Sequence, residues 1–333
     1  MPESLDSGNA IVVTELTKRF NGFTAVDHIR FSVASGELFG FLGPNGAGKS
    51  TTTYMLATIL KPTSGEATVN HFDILKQPDE VRKSIGMVFQ DQTLDFRLSA
   101  FDNLDIHGRM YGMPGPIRRT RIDEVLALVE LSDWKHKLVK TFSGGMRRRL
   151  EIGRGLLHTP KILFLDEPTL GLDVQTRRHM WSYIEKLKQQ GITIILSTHY
   201  LEEADSLSDR IAIIDHGKIV ALDTPKNLKN RLGEQAVKVQ SKNPEQLLAA
   251  VKTSPLFSKA IRTNNVVSIE VPDGGVAIPA VVSLAEKNAI IIESISVHTP
   301  TLEDVFIALT GEQIREDAAA PSGMMAAVRK RGF

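Results

Sequence analysis

The chain has 333 residues, enough for two domains, and its apolar fraction of 42% is that of an ordinary globular protein. Lysine and arginine number 40 against 39 aspartate and glutamate, so no overall basic field marks a general nucleic-acid binder. The absence of cysteine excludes disulfides, thiolate metal sites and cysteine nucleophiles and fits a reducing cytosol. With no leader pattern in MPESLDSGNA and no run of about eighteen apolar residues, the chain is not expected to span a membrane.

Residues 1–10 read as an N-terminal extension. From 11 to 226 short apolar runs alternate with helical stretches, the pattern of an α/β domain. Residues 38–42 form a buried strand in this reading and 50–59 a helix. Residues 91–157 lose the strand signal and show helical periodicity at 100–111 and 117–131, which marks a helical insertion ending in a helix over 146–157. Strands follow at 161–165, 193–197 and 210–215, the first two continuously apolar, as strands covered on both faces should be. Residues 227–311 read as a small α+β accessory domain: strand 236–240, helix 244–253, strand 265–271, helix 277–287, strand 290–297 and helix 301–309. Thr301 and Asp304 have capping-box spacing at the start of that last helix. Residues 312–333 lack periodicity and read as a flexible tail, its Arg329, Lys330 and Arg331 solvated rather than on lipid.

Between the first buried strand and the first helix lies Gly43-Pro44-Asn45-Gly46-Ala47-Gly48-Lys49-Ser50, followed by Thr51, which fits the phosphate-loop pattern G-x-x-x-x-G-K-[ST]. Glycines let the backbone bend and approach phosphate oxygens, and the amides sit at a helix N-terminus, where N–H groups lack acceptors and the dipole favours anions. Lys49 then reaches the β- and γ-phosphates, and the Ser50 hydroxyl is placed for Mg²⁺. A nucleoside triphosphate is therefore the first ligand to consider. Four apolar residues, 162–165, deliver Asp166 and Glu167 to the end of a strand, where ligand crevices of open α/β sheets lie. Asp166 suits the Mg²⁺ shell, and Glu167, pointing to the opposite side, suits a general base for an attacking water. Ser143-Gly144-Gly145 opens a helix with a good N-cap and accessible amides, a second phosphate cradle in one chain.

In order and spacing, GPNGAGKST, the lone Gln90 after an apolar strand, TFSGGMRRRLEIGRGLLHTP, ILFLDEPTLGLD and STHYLEEAD resemble the ABC transporter ATPase family over about the first 225 residues. The resemblance implies a P-loop NTPase fold and two ATP-binding domains dimerised head to tail, each ATP lying between one phosphate loop and the other subunit's Ser143-Gly144-Gly145. It further implies that Gln90 contacts Mg²⁺ and the attacking water and reports nucleotide state to a membrane partner. His199 would contact the γ-phosphate, Asp173 would lie in the loop crossing the dimer interface, and Phe20 would stack on adenine. Read singly, the same residues are a loop amide, a strand-end histidine, a turn former and a core aromatic. Arg147, Arg148 and Arg149 read as a solvated helix face, with placement of phosphate across the interface as the alternative for one of them. The signature departs from the commoner pattern at Phe142 and Met146, and Phe20 stands where tyrosine is commoner; the phosphate-contacting residues are kept.

FQDQTLDFRLSAFDNLDIHGRMYGM and HTPTLEDVFIALTG resemble the ATPases of daunorubicin-resistance-type exporters. That implies an ATP-hydrolysing subunit at the cytoplasmic face of a membrane, peripheral, with a second copy and a separate permease as partners, ATP and Mg²⁺ as cofactors, and no nucleic acid. The competing reading is an ATP-driven clamp on nucleic acid or ribosomes, whose relatives usually carry long coiled coils, zinc cysteines or two ATPase domains in one chain. An importer ATPase fits the ending less well, and a binding module without hydrolysis leaves Glu167 unused.

Overall fold

The computed structural model describes residues 8–232, 235–254, 256–257 and 259–311. The tail read at 312–333 and most of the extension read at 1–10 lie outside the described residues. The chain divides into two compact units between Pro225 and Lys226.

Strands β1 (Asn9–Phe20) and β2 (Phe23–Ala34) form an antiparallel hairpin through Asn21 and Gly22, whose φ angles of 41° and 87° are those a two-residue hairpin turn requires. β3 (Leu38–Leu42) leads through the glycine-rich loop into α1 (Lys49–Leu56); β4 (Ser64–Val69) and β5 (Phe72–Asp73) then complete a sheet of order β2-β1-β4-β5. This antiparallel sheet has no counterpart in the sequence reading. Register shifts interrupt β1 between Val13 and Arg19, and Glu15 and His28 adopt positive φ, so the two-residue alternation that announces a strand is broken.

After α2 (Pro78–Ser84) and β6 (Ile85–Val88) come three helices, α3 (Ala100–Met110), α4 (Gly115–Leu128) and α5 (Gly144–Leu156), and no named strand until β7 (Ile162–Asp166). Ser99 caps α3 in a full capping box with Asp102. α6 (Val174–Gln189), β8 (Thr193–Thr198), α7 (Leu201–Leu207), β9 (Arg210–Asp215) and β10 (Lys218–Asp223) follow. The second sheet runs β10-β9-β3-β8-β7-β6, parallel except for β10. Its central strands are buried on both faces. Leu163, Leu165, Ile194 and Leu196 enter one apolar cluster with the helical segment, while Phe39, Phe41, Phe164 and Ile195 enter another with the antiparallel sheet. α5 lies hard against β6: a Cβ on Gly86 would stand 2.3 Å from the Gly155 carbonyl oxygen.

The second unit contains the rest of α8 (Pro225–Asn230), then β11 (Gln235–Ser241), α9 (Pro244–Thr253), β12 (Lys259–Thr263), β13 (Val266–Val271), α10 (Gly274–Lys287), β14 (Ile292–His298) and α11 (Leu302–Thr310). From β11 to β14 this is a β-α-β-β-α-β unit with antiparallel order β12-β13-β11-β14, the ferredoxin-like arrangement. Val237, Val239, Val267 and Ile269 alternate onto the face covered by Leu247, Val251 and Val281 of the helices. Edge strand β12 was missed because four of its five residues are exposed, Ile261 among them. Thr301 caps α11 with Asp304 as its spacing predicts.

Candidate active site

Parallel register brings the chemistry to one edge. Leu42 pairs with Thr198, Asp166 with Ser197 and Val88 with Leu165, so β3, β8, β7 and β6 end together. The glycine-rich loop, His199, Glu167 and the segment carrying Gln90 start from those four ends. Within the loop, the glycines are needed for two different reasons. A Cβ on Gly43 would stand 2.2 Å from the Ile214 carbonyl oxygen, whereas Gly46 has φ of 83° and open space around it. Gly48, at φ 109°, is the N-cap of α1 and leaves its first-turn amides without side-chain acceptors. Lys49 is buried; its ammonium donates to the carbonyls of Gly43 (2.6 Å) and Pro44 (3.1 Å) and lies 3.5 Å from Glu167. Burial pushes the Lys49 pKa down, opposed by the charges of Glu167 and Asp166.

Asp166 and Glu167 are both buried at the end of β7, and their carboxylates take different partners, Ser50 for Asp166 and His199 and Lys49 for Glu167. The Ser50 hydroxyl donates to Asp166 Oδ1 at 3.1 Å, joining α1 to β7, while Oδ2 is buried without a hydrogen-bond partner among the described residues. Burial pushes the Asp166 carboxyl up to about 6; the Ser50 bond opposes this and the neighbouring Glu167 charge adds to it. Glu167 has φ of 50°, a left-handed conformation costly for a residue with a Cβ, at the turn where the chain leaves the strand. Its Oε2 stands 2.5 Å from His199 Nδ1, and Oε1 faces Lys49. A carboxylate only accepts, so Nδ1 carries the hydrogen when Glu167 is ionised. His199 Nε2 is buried and unpartnered among the described residues. The donor set fits Mg²⁺: a serine hydroxyl, a carboxylate with an unused buried oxygen and, two residues past β6, the half-buried Gln90 amide are hard oxygen ligands, few enough to leave places for phosphate and water.

The solvated reading of Arg147 to Arg149 is corrected. Arg147 lies over the Phe96 ring, 4.8 Å from its centroid, and Arg149 bonds the Val129 carbonyl and Glu130. Arg148 is buried and spends all five N–H donors inside the protein, on the carbonyls of Pro168, Phe89, Asp166 and Glu167 and on Glu151. The signal was in the helical period: Gly145, Arg148, Ile152 and Gly155 share one stripe of α5, and Glu151 follows Arg148 by three. The sequence reading also missed Tyr54, whose hydroxyl lies beside Asp166 and whose pKa burial raises, and Glu203, which accepts from Thr169 (2.8 Å) and Trp181 (3.0 Å).

Ser143 caps α5, its hydroxyl accepting from the Met146 amide at 3.3 Å, and Ser143 and Gly144 are exposed. Gly145 is buried: a Cβ there would meet the Thr176 methyl at 2.5 Å. Asp173 caps α6 by accepting from the Thr176 amide and hydroxyl, so the fold brings Asp173 and the Ser143 segment together through Thr176. Phe20 closes β1, half-buried and outside the apolar clusters, with the Lys18 ammonium 4.9 Å from its ring centroid.

The family described as "ABC transporter" matches residues 26–170, and the "ATP-binding protein DrrA1-3-like, C-terminal domain" matches 224–310. The daunorubicin resistance ATP-binding protein DrrA3 of Streptomyces coeruleorubidus is 38% identical, over 93% of this chain and 99% of its own. The chain belongs to the ABC transporter ATP-binding family. The linearmycin resistance ATP-binding protein LnrL of Bacillus subtilis is 36% identical over 90% of this chain and 98% of its own. Among solved structures, cbiO1 from Clostridium perfringens, part of an ABC transporter complex, superposes with a TM-score of 0.63 at 30% identity, covering 67% of this chain and 91% of that one. A cassette dimer in a post-hydrolysis state, bound to ADP and Pi, superposes with a TM-score of 0.58 at 28% identity, covering 64% of this chain and 98% of that one. As a family member the chain binds ATP and hydrolyses it in the service of transport. Among the described residues no helix is long and apolar enough to cross a membrane.

Proposed function

We propose that this chain powers a separate membrane-spanning permease that exports drugs or other apolar or amphipathic compounds, two copies closing head to tail around ATP at the cytoplasmic face of the membrane. The observation that carries the reading is the convergence of Lys49, Asp166, Glu167 and His199 at aligned strand ends, in a chain matched along nearly its whole length by drug-resistance ATP-binding subunits.

In this reading Phe20 stacks on adenine, the amides of 43–51 wrap the phosphates, and Lys49 exchanges its loop carbonyls for β- and γ-phosphate oxygens. Ser50, Asp166 and Gln90 hold Mg²⁺, which neutralises charge on the phosphates. Glu167 takes the proton of the attacking water, and His199, held by Glu167 through Nδ1–H, donates an Nε2–H to the γ-phosphate when both ring nitrogens carry hydrogen. Ser143, Gly144 and Gly145 present a hydroxyl and helix-end amides to the ATP of the second copy, with Asp173 beside them.

An exposed apolar rim supports a protein partner. Met110 is 79% exposed, and Ile117, 60% exposed, lines with Tyr111, Met113 and His158 a hollow of about 590 Å³. The test is purification of the tagged chain from membranes. A multispanning permease should come with it and stimulate its ATPase activity; recovery on ribosomes or DNA instead would overturn the transport reading.

A further inference from the structure

We infer that Arg148 is a positioning residue for hydrolysis: it holds the turn that presents Glu167 and ties that turn to both the Gln90 segment and the helix behind Ser143. The inference rests on the assignment of Glu167 as the base.

Three consecutive carbonyls, those of Asp166, Glu167 and Pro168, point at one guanidinium, at 2.9, 2.9 and 2.8 Å. Such convergence needs a tight turn, and Glu167 accordingly sits at φ 50°. Its amide donates to the Ser197 carbonyl at 2.9 Å and Arg148 takes its own carbonyl, so the strained residue is gripped on both sides. The remaining donors face the other way. Arg148 bonds the Phe89 carbonyl, next to Gln90, at 2.5 Å, and Glu151 at 2.9 Å; Glu151 accepts from the Thr93 amide at 2.8 Å, and Arg154 donates to the Thr93 carbonyl at 3.0 Å. Residues 89 to 93 are thus fastened at both ends to α5, the helix that Ser143 caps. A displacement of α5 carries the Gln90 segment with it and bears through Arg148 on the backbone of Glu167. A planar five-donor fork can do this; a lysine, with three donors at one point, cannot span the carbonyls on both sides.

The test compares Arg148→Lys, Glu167→Gln and the double variant, reading kcat, ATP affinity, ATP-dependent dimerisation and melting temperature. R148K should lower kcat about 100-fold, as misplacement of a reacting group by an ångström does, with ATP affinity unchanged. It should accumulate the ATP-bound dimer, and the double variant should hydrolyse no more slowly than E167Q, because the effect of Arg148 passes through Glu167. A general structural role predicts instead that rate, affinity and melting temperature fall together and that the two losses multiply; that result overturns the inference. If R148K does not fold, Glu151→Gln carries the test. It keeps an acceptor for the Thr93 amide while loosening the hold on Arg148, and should show a smaller kcat loss that also vanishes in the E167Q background. Near-normal hydrolysis by E167Q alone would refute the base and leave the Arg148 contacts to another role. A slow E167Q beside a folded R148K of wild-type kcat would refute the positioning and leave the base standing.

Discussion

Replacing Glu167 by glutamine separates chemistry from binding at this site. The amide oxygen can still accept the His199 Nδ1 hydrogen where the carboxylate now does, at 2.5 Å, and the side chain keeps its volume, so fold and packing should survive. What disappears is a group able to take the proton of water, worth about 10²- to 10⁴-fold in rate, or about 2.7 to 5.5 kcal/mol of barrier. Binding should move the other way. Lys49 now has a carboxylate 3.5 Å from its ammonium, and removing that anion releases the cation to phosphate and removes like-charge repulsion with the γ-phosphate. ATP affinity should therefore hold or improve. Phosphate release at saturating Mg-ATP gives kcat, and calorimetric titration gives the affinity. Hydrolysis close to wild type, or a rate loss matched by an equal loss of affinity, would refute the assignment.

Lys49→Ala should remove charge-assisted bonds worth about 1.5 to 3 kcal/mol, hence about 10- to 150-fold in ATP affinity by titration. In the E167Q background Mg-ATP should drive dimerisation, and Ser143→Arg should abolish it by blocking the exposed cap of α5; light scattering reads both states. Glu203→Gln probes a buried acid whose pKa burial raises. Because its folded pKa lies above the unfolded value, the native state binds the proton more tightly, and wild-type stability drains away as pH rises from the ordinary glutamate range through the folded value. Glutamine keeps the bonds from Thr169 and Trp181 and escapes that loss, so its melting temperature relative to wild type should climb with pH. A gap that shrinks toward alkaline pH would contradict this.

Much of the site was legible because its residues are fixed by local rules: a glycine-rich loop between a buried strand and a helix, acids at the end of an apolar strand, a serine at a helix start. The parallel strands were equally plain, since both faces are covered and their apolar runs are unbroken. The antiparallel sheet was hidden by the irregular register of β1, and β12 by its exposure. Arg148 was hidden by its chemistry: a charged residue at a core position of a helix looks solvated until its five acceptors, supplied by three separate segments, are brought together in space. The hydrogen bond between His199 and Glu167 was out of reach for the same reason, being made across β7 and β8.

Where α5 meets β6, bare backbone meets bare backbone: Gly86 lies against the Gly155 carbonyl, with no room for a methyl group on Gly86. Side chains at an interface act as springs, bending through rotamers before their anchors move. This contact has none, so it is a stiff bearing. The helix cannot be pressed further onto the strand that leads to Gln90; it can only turn or slide on it, and bulk added at Gly86 would lift the helical segment away from the catalytic sheet.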